Sequence, residues 1–192
     1  MTSRPQRLPD PGGATGSPGG PAQVPEGLNR FNSASEQAAS AALHEVCAVR
    51  AWGSAMLARR PYPTVGELLA AGDAATAALT ADGLAEAVAG HPPIGRPRPG
   101  DPVSAREQRG TAGASDALKA ELLELNLAYQ EKFGQVFLIC ATGRTGEQLR
   151  DAARDRIGNT PEREREIVRT ELAGINRLRL ARLVQPQPPS DS

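Results

Sequence analysis

The chain has 192 residues, enough for one domain. Its 22 basic and 22 acidic side chains cancel, which excludes a dedicated nucleic-acid binder while leaving room for a small anionic substrate held by one or two arginines. Two cysteines, Cys47 and Cys140, are too few for a disulfide framework or a zinc site, no run of 18 apolar residues predicts a membrane span, and no apolar signal core precedes the domain; the expectation is a cytoplasmic protein with buried free thiols.

Residues 1–27 hold six Pro and six Gly and almost no large apolar side chains. Such a segment buries too little surface to offset the entropy of ordering it, so it reads as a disordered tail. Residues 186–192 read the same way, which leaves a folded domain over 28–185. The first helical signal covers 34–58, an Ala-rich run with Leu43, Val46, Cys47, Val49 and Trp52, and Gly53 is the expected point of any break. Thr64 and Glu67 make a T-x-x-E capping box before the next helix. Short helices follow over 81–89 and 102–110. Ser115 caps a long helix that Gly134 ends, Thr145 and Gln148 form a second capping box, and Thr160 with Pro161 opens the last helix. No alternating pattern predicts a strand. The apolar run VFLIC (136–140) fits either a buried extended segment or a helix start. The sum is an all-α domain of about seven or eight helices.

Four places in this frame carry residues suited to chemistry. In HPPIG (91–95), the prolines push His91 out of helical geometry and set their own φ angles, so the histidine sits on a stiff mount at a helix end. An imidazole held this way exchanges protons near neutrality without an orientation cost; the plainer reading is a capping or surface histidine. His44, inside an Ala-rich helix, reads as structural, and with Cys47 it supplies only two ligands, too few for a metal. Ser104, Glu107 and Gln108 share a helix face at i, i+3 and i+4, a set able to bind a nitrogen-rich ligand, or alternatively an S-x-x-E capping box. In the last helix, Ile167, Val168, Leu172, Ile175, Leu178 and Leu183 fall on one arc with Arg179 among them and Arg177 outside. A cation on an apolar side needs an anion, which is either a substrate carboxylate or an internal acidic side chain. If 136–140 is extended, its N–H and C=O groups are free for a ligand, the alternative being plain core.

The order HPPIG, S-x-x-EQ, L-x-L-N-x-x-Y-x-x-KFG-x-x-F-x-x-x-A-x-GR, R-x-x-N and E-x-x-x-I-x-x-LRL, preceded by FNSAS (31–35), Cys47, Trp52 and RRPYPT (59–64), resembles the 2-oxo-4-hydroxy-4-carboxy-5-ureidoimidazoline (OHCU) decarboxylases of urate breakdown over roughly residues 28–184. The resemblance implies an all-helical fold, often a homodimer, no metal or organic cofactor, and loss of CO2 from OHCU to give (S)-allantoin. It also implies His91 as the catalytic histidine with Pro92 beside the ligand, and maps the family's S-x-x-E-Q motif onto Ser104, Glu107 and Gln108. The mechanism these residues support has His91 as proton donor and Glu107 as its catalytic partner, holding a substrate hydroxyl or ureido N–H and raising the histidine's pKa. Ser104, Gln108 and the backbone of Phe137, Leu138, Ile139 and Cys140 would read the ring and ureido edges, and Arg179 would anchor a substrate oxygen. Pro93 stands where a basic residue is common, and residues 96–104 are unusually proline-rich. Two other readings stay open: a non-catalytic helical partner-binding module, and a re-purposed relative of the decarboxylase.

Overall fold

The computed structural model describes residues 24–186, and the expected tails fall almost wholly outside them. Among the described residues the regular elements are helices: α1 (Glu26–Ser33), α2 (Glu36–Val46), α3 (Arg50–Leu57), α4 (Val65–Ala77), α5 (Ala81–Ala89), α6 (Pro102–Glu107), a 3-10 turn (Arg109–Thr111), α7 (Asp116–Phe133), α8 (Gly146–Ile157) and α9 (Pro161–Leu183). Helix α1 begins inside the stretch read as tail, because Leu28 and Phe31, one turn apart, bury fully against the core.

Side-chain caps set most helix starts. Ser35, Thr64, Thr80, Asp101, Ser115, Thr145 and Thr160 each accept a backbone N–H of the first turn, a contribution of about 1 kcal/mol apiece. Thr145 and Gln148 complete a reciprocal capping box. Asp101, not Ser104, caps α6, so the capping-box alternative for Ser104 fails. Gly134 ends α7 in the left-handed region at φ 70°.

The single helix expected over 34–58 is two. The break lies at Cys47–Val49, not at Gly53, which sits within α3. Cys47 adopts an extended φ of −146°, and it and Val49 are both buried. Two residues apart, they face one side only if the backbone is extended there. The segment 136–140 forms neither helix nor strand, and the alternation of its side chains between two cores fits extended backbone.

Packing divides into two cores. The larger joins α1–α5 with α9, around Trp52, Leu68, Val88, Leu172 and Leu180. Gly72 of α4 lets Leu180 of α9 approach closely, since a Cβ there would meet its methyl. The smaller joins α7 and α8 around Leu122, Tyr129 and Leu149. The extended segment stitches them together: Leu138 enters the first core, while Phe137 and Ile139 enter the second. Alternate side chains of extended backbone point opposite ways, which a helix there would not allow.

Candidate active site

A narrow cleft with about 30 Å³ of free volume opens at this seam. Four elements build it: the turn after α5 with His91, Pro92 and Ile94; α6 with Ser104 and Glu107 and, just past its end, Gln108; the strip 137–142; and α9 with Ile175 and Leu178. The structure thus brings together all the residues singled out in the sequence except Arg179. That side chain lies behind Glu107, in an adjoining cleft that also reaches His91, Pro92 and Ser104.

His91 is fixed from its own helix. Its N–H donates to the Val88 carbonyl at 3.0 Å, and ring Nδ1 lies 2.8 Å from the Ala87 carbonyl oxygen. A carbonyl only accepts, so Nδ1 carries the hydrogen and the neutral ring presents a bare Nε2 lone pair. Nε2 is buried and has no partner. Burial first, and then the nearby Arg179 cation, push the His91 pKa below its ordinary value; the Ala87 bond and Glu107 pull the other way without prevailing. Glu107 does pull the histidine upward, as expected, but burial and Arg179 outweigh it, so the unliganded ring is neutral near pH 7.

Glu107 is itself bound to cations. Arg179 Nε and Nη2 donate to its two oxygens at 2.8 Å each, a bidentate fork, and Arg182 adds a longer contact at 3.5 Å. Arg179 Nη1 also donates to the Val46 carbonyl at the end of α2, where the chain breaks. The internal partner anticipated for this cation is therefore Glu107.

Beyond His91, the turn is held by amides. Arg96 N–H donates to Pro93 O at 3.1 Å, and Gly95, at φ 83°, takes the position of a type II turn that favours glycine. Gln108 Oε1 accepts the Gly95 N–H at 2.9 Å, and its Nε2 donates to Pro93 O at 3.2 Å. From α7, Asn126 Nδ2 donates to Ile94 O at 2.9 Å. Ser104 Oγ accepts the Arg98 N–H at 3.1 Å. Ser104 and Gln108 therefore serve the protein first, though each keeps hydrogen-bonding capacity toward the cleft.

The strip 137–142 is braced from the other side. Leu138 O accepts Arg156 Nη1 at 2.9 Å, and Arg156 is paired with the buried Glu164, which also accepts Tyr129 OH at 2.6 Å and Asn159 Nδ2 at 2.8 Å. Burial alone would raise the Glu164 pKa, but the bonds from Arg156, Tyr129 and Asn159 hold it low. Cys140 N–H donates to Glu171 at 2.9 Å. Among the described residues the N–H groups of Leu138 and Ile139 have no protein acceptor. Asn126, Arg156, Glu164 and Glu171 were not singled out as site residues. A signal existed for Asn126, a polar residue in helical register with Leu122 and Tyr129 on the apolar face of α7.

Fold and cleft define a class first: an all-helical domain that sets a neutral imidazole and a clamped carboxylate in a small, mostly apolar cleft beside a non-helical strip. Among the described residues no group of three or more His, Cys, Asp or Glu is arranged to hold a metal ion. The chain belongs to the OHCU decarboxylase family, whose model matches residues 32–181. A crystal structure of OHCU decarboxylase in the presence of (S)-allantoin superposes with a TM-score of 0.67 at 28% identity, over 79% of this chain and 99% of that one. A crystal structure of (S)-allantoin synthase shares the fold, with a TM-score of 0.63 at 20% identity, over 81% of this chain and 53% of that one. The uric acid degradation bifunctional protein TTL of Arabidopsis thaliana is 38% identical over 105 residues, and the 2-oxo-4-hydroxy-4-carboxy-5-ureidoimidazoline decarboxylase of Amia calva is 38% identical over 72. Those stretches are 51% and 38% of this chain, which spans 32% and 40% of the two relatives' lengths.

Proposed function

We propose that this protein decarboxylates OHCU to (S)-allantoin, with Nε2 of His91 delivering the proton. The observation that carries the reading is an imidazole in the cleft lining whose tautomer is set by the Ala87 carbonyl and whose other nitrogen is buried without a protein partner. Loss of CO2 leaves the bond's electron pair on a ring carbon, where the adjacent imine or carbonyl of the substrate delocalises it, so the reaction is read as needing neither metal nor organic cofactor. One proton must then be added to that carbon. The unliganded ring is neutral, so it acquires that proton as the substrate arrives: a carboxylate beside Nε2 favours the imidazolium and offsets burial. The ring gives the proton to one face of the carbon and returns to its neutral tautomer, which yields a single product hand.

Glu107, held by Arg179, offers its remaining lone pairs to a substrate hydroxyl or ureido N–H. Pro92 packs beside the ring, Ser104 and Gln108 bond its polar edges with their spare groups, and the backbone from Phe137 to Cys140 supplies donors to carbonyl oxygens. Arg179 acts on the substrate through Glu107 and through its field. Two further parts of the reading are a homodimer and a cytoplasmic location. The first is supported by the family resemblance, and the second by the free thiols Cys47 and Cys140, which suit a reducing compartment.

The test is CO2 release and chiral allantoin formation from freshly generated OHCU, wild type beside His91→Ala. Fast, one-handed product from wild type and a loss of about 100-fold or more in kcat for the variant are expected. One-handed product from both moves the proton donor elsewhere. Racemic background from both returns the protein to the re-purposed or partner-binding reading.

A further inference from the structure

The L-x-L-N stretch of α7 has no part in the reaction just described, yet its asparagine reaches the catalytic turn. We propose that Asn126 is a positioning residue: with Gln108 it clamps the turn Pro93–Gly95 from behind, and through that turn it holds His91 and Pro92 against the cleft.

The geometry is direct. Asn126 Nδ2 donates to Ile94 O at 2.9 Å and to Leu122 O at 2.8 Å, while Gln108 takes the carbonyl and the N–H on either side of Ile94. Two amides from two helices thus bond three consecutive residues of one turn. On its other side, His91 is tied to Val88 and Ala87 of α5. Only His91 and Pro92 lie between these two anchors, and prolines at 92 and 93 leave the span few free torsions. A shift of the turn therefore passes to the imidazole. Packing alone does not call for this residue. Asn126 is 8% exposed among apolar neighbours, and its Oδ1 is buried without a partner, an unfavourable feature that a leucine of similar size would remove. Its retained amide is accounted for by the Ile94 bond.

The experiment compares Asn126→Leu, Gln108→Leu and their double variant with Thr76→Val, a buried hydroxyl substitution remote from the turn that partners Trp52. Two readouts are taken: kcat and KM on fresh OHCU, and the NMR titration of the His91 ring. Asn126→Leu should lower kcat about 10- to 100-fold with KM within about threefold, since a displacement near 1 Å suffices for such a loss. It should also move the His91 titration toward the ordinary imidazole value as water reaches the ring. The double variant should lose less than the product of the single losses, because both act on one turn. Thr76→Val should lose thermal stability while keeping kcat. The kinetic arm rests on the proposed function, so absent turnover in wild type would count against that function, and the titration then decides the positioning role alone. A kcat within twofold of wild type in Asn126→Leu, or an unmoved His91 titration in an inactive wild type and its variant, overturns the proposal.

Discussion

His91 works through what it lacks. Its Nδ1 is committed to a backbone oxygen and its Nε2 to nothing, so the ring is a preformed acceptor waiting for charge. Its lowered pKa makes a stability statement with a definite sign. The unfolded ring binds a proton at the ordinary value of 6.5, the folded ring only at lower pH. Between those values the unfolded state holds more protons, so stability falls as pH drops through that window and is fully present above it. Denaturant titrations at about pH 7.5 and about pH 5.5 should show this loss, and His91→Gln should flatten it. The same ring should take up a proton when an anionic substrate analogue binds near pH 7; calorimetry in buffers of different ionisation enthalpy reads that uptake, and none at all would sink the assigned order of proton transfer. Glu107→Gln leaves the Arg179 fork with a weaker acceptor in a partly buried place. A stability loss of about 1–3 kcal/mol, measured by denaturation, should accompany the loss of turnover.

At the scale of elements, the extended strip 136–141 does what a helix there would not. It sends alternate side chains into two cores and leaves its backbone for the cleft. Extended backbone without a strand partner must be held by side chains, and Arg156, Glu164 and Glu171 do this. Glu164→Gln breaks a buried ion pair and leaves Arg156 uncompensated, so the midpoint of chemical unfolding should fall by the equivalent of about 3–5 kcal/mol. Gly110 has a related task. A Cβ there would collide with the Arg144 carbonyl, so Gly110→Ala should loosen the contact between the 3-10 turn and the strip's end, with lower kcat and a lower Tm.

At the scale of the whole molecule, the cleft lies where the two cores meet, so residues from the turn after α5, from α6, from the strip and from α9 converge without any one element forming the site. Most helices were legible from caps and apolar spacing, because those signals are local. The α1 helix was not, since it is short and takes its stability from Leu28 and Phe31 docking into a core made by residues far away in sequence. The break at Cys47–Val49 was missed for the same kind of reason: an Ala-rich run has helical propensity throughout, and burial of Cys47 and Val49 overrides it. The proposed homodimer predicts a sedimentation mass near twice the 20.1 kDa of the chain. Leu127, 58% exposed on α7, is the first position to charge if that mass is found, and Leu127→Glu should then shift the mass toward one chain.

The amino-acid sequence by itself determined the all-helical class, the stiff mount of His91 and the grouping of Ser104, Glu107 and Gln108, because proline stereochemistry and helical spacing act over a few residues. It also carried the family, through the order of its motifs. Only the tertiary structure decided which partners these groups have. Arg179 and Glu107 are 72 residues apart, and so their pairing depends on α9 folding back across the break after α2. Asn126 and Ile94, 32 residues apart, meet for the same reason. Charge and hydrogen-bond pairing are set by distance in space, and no local rule of sequence encodes that distance.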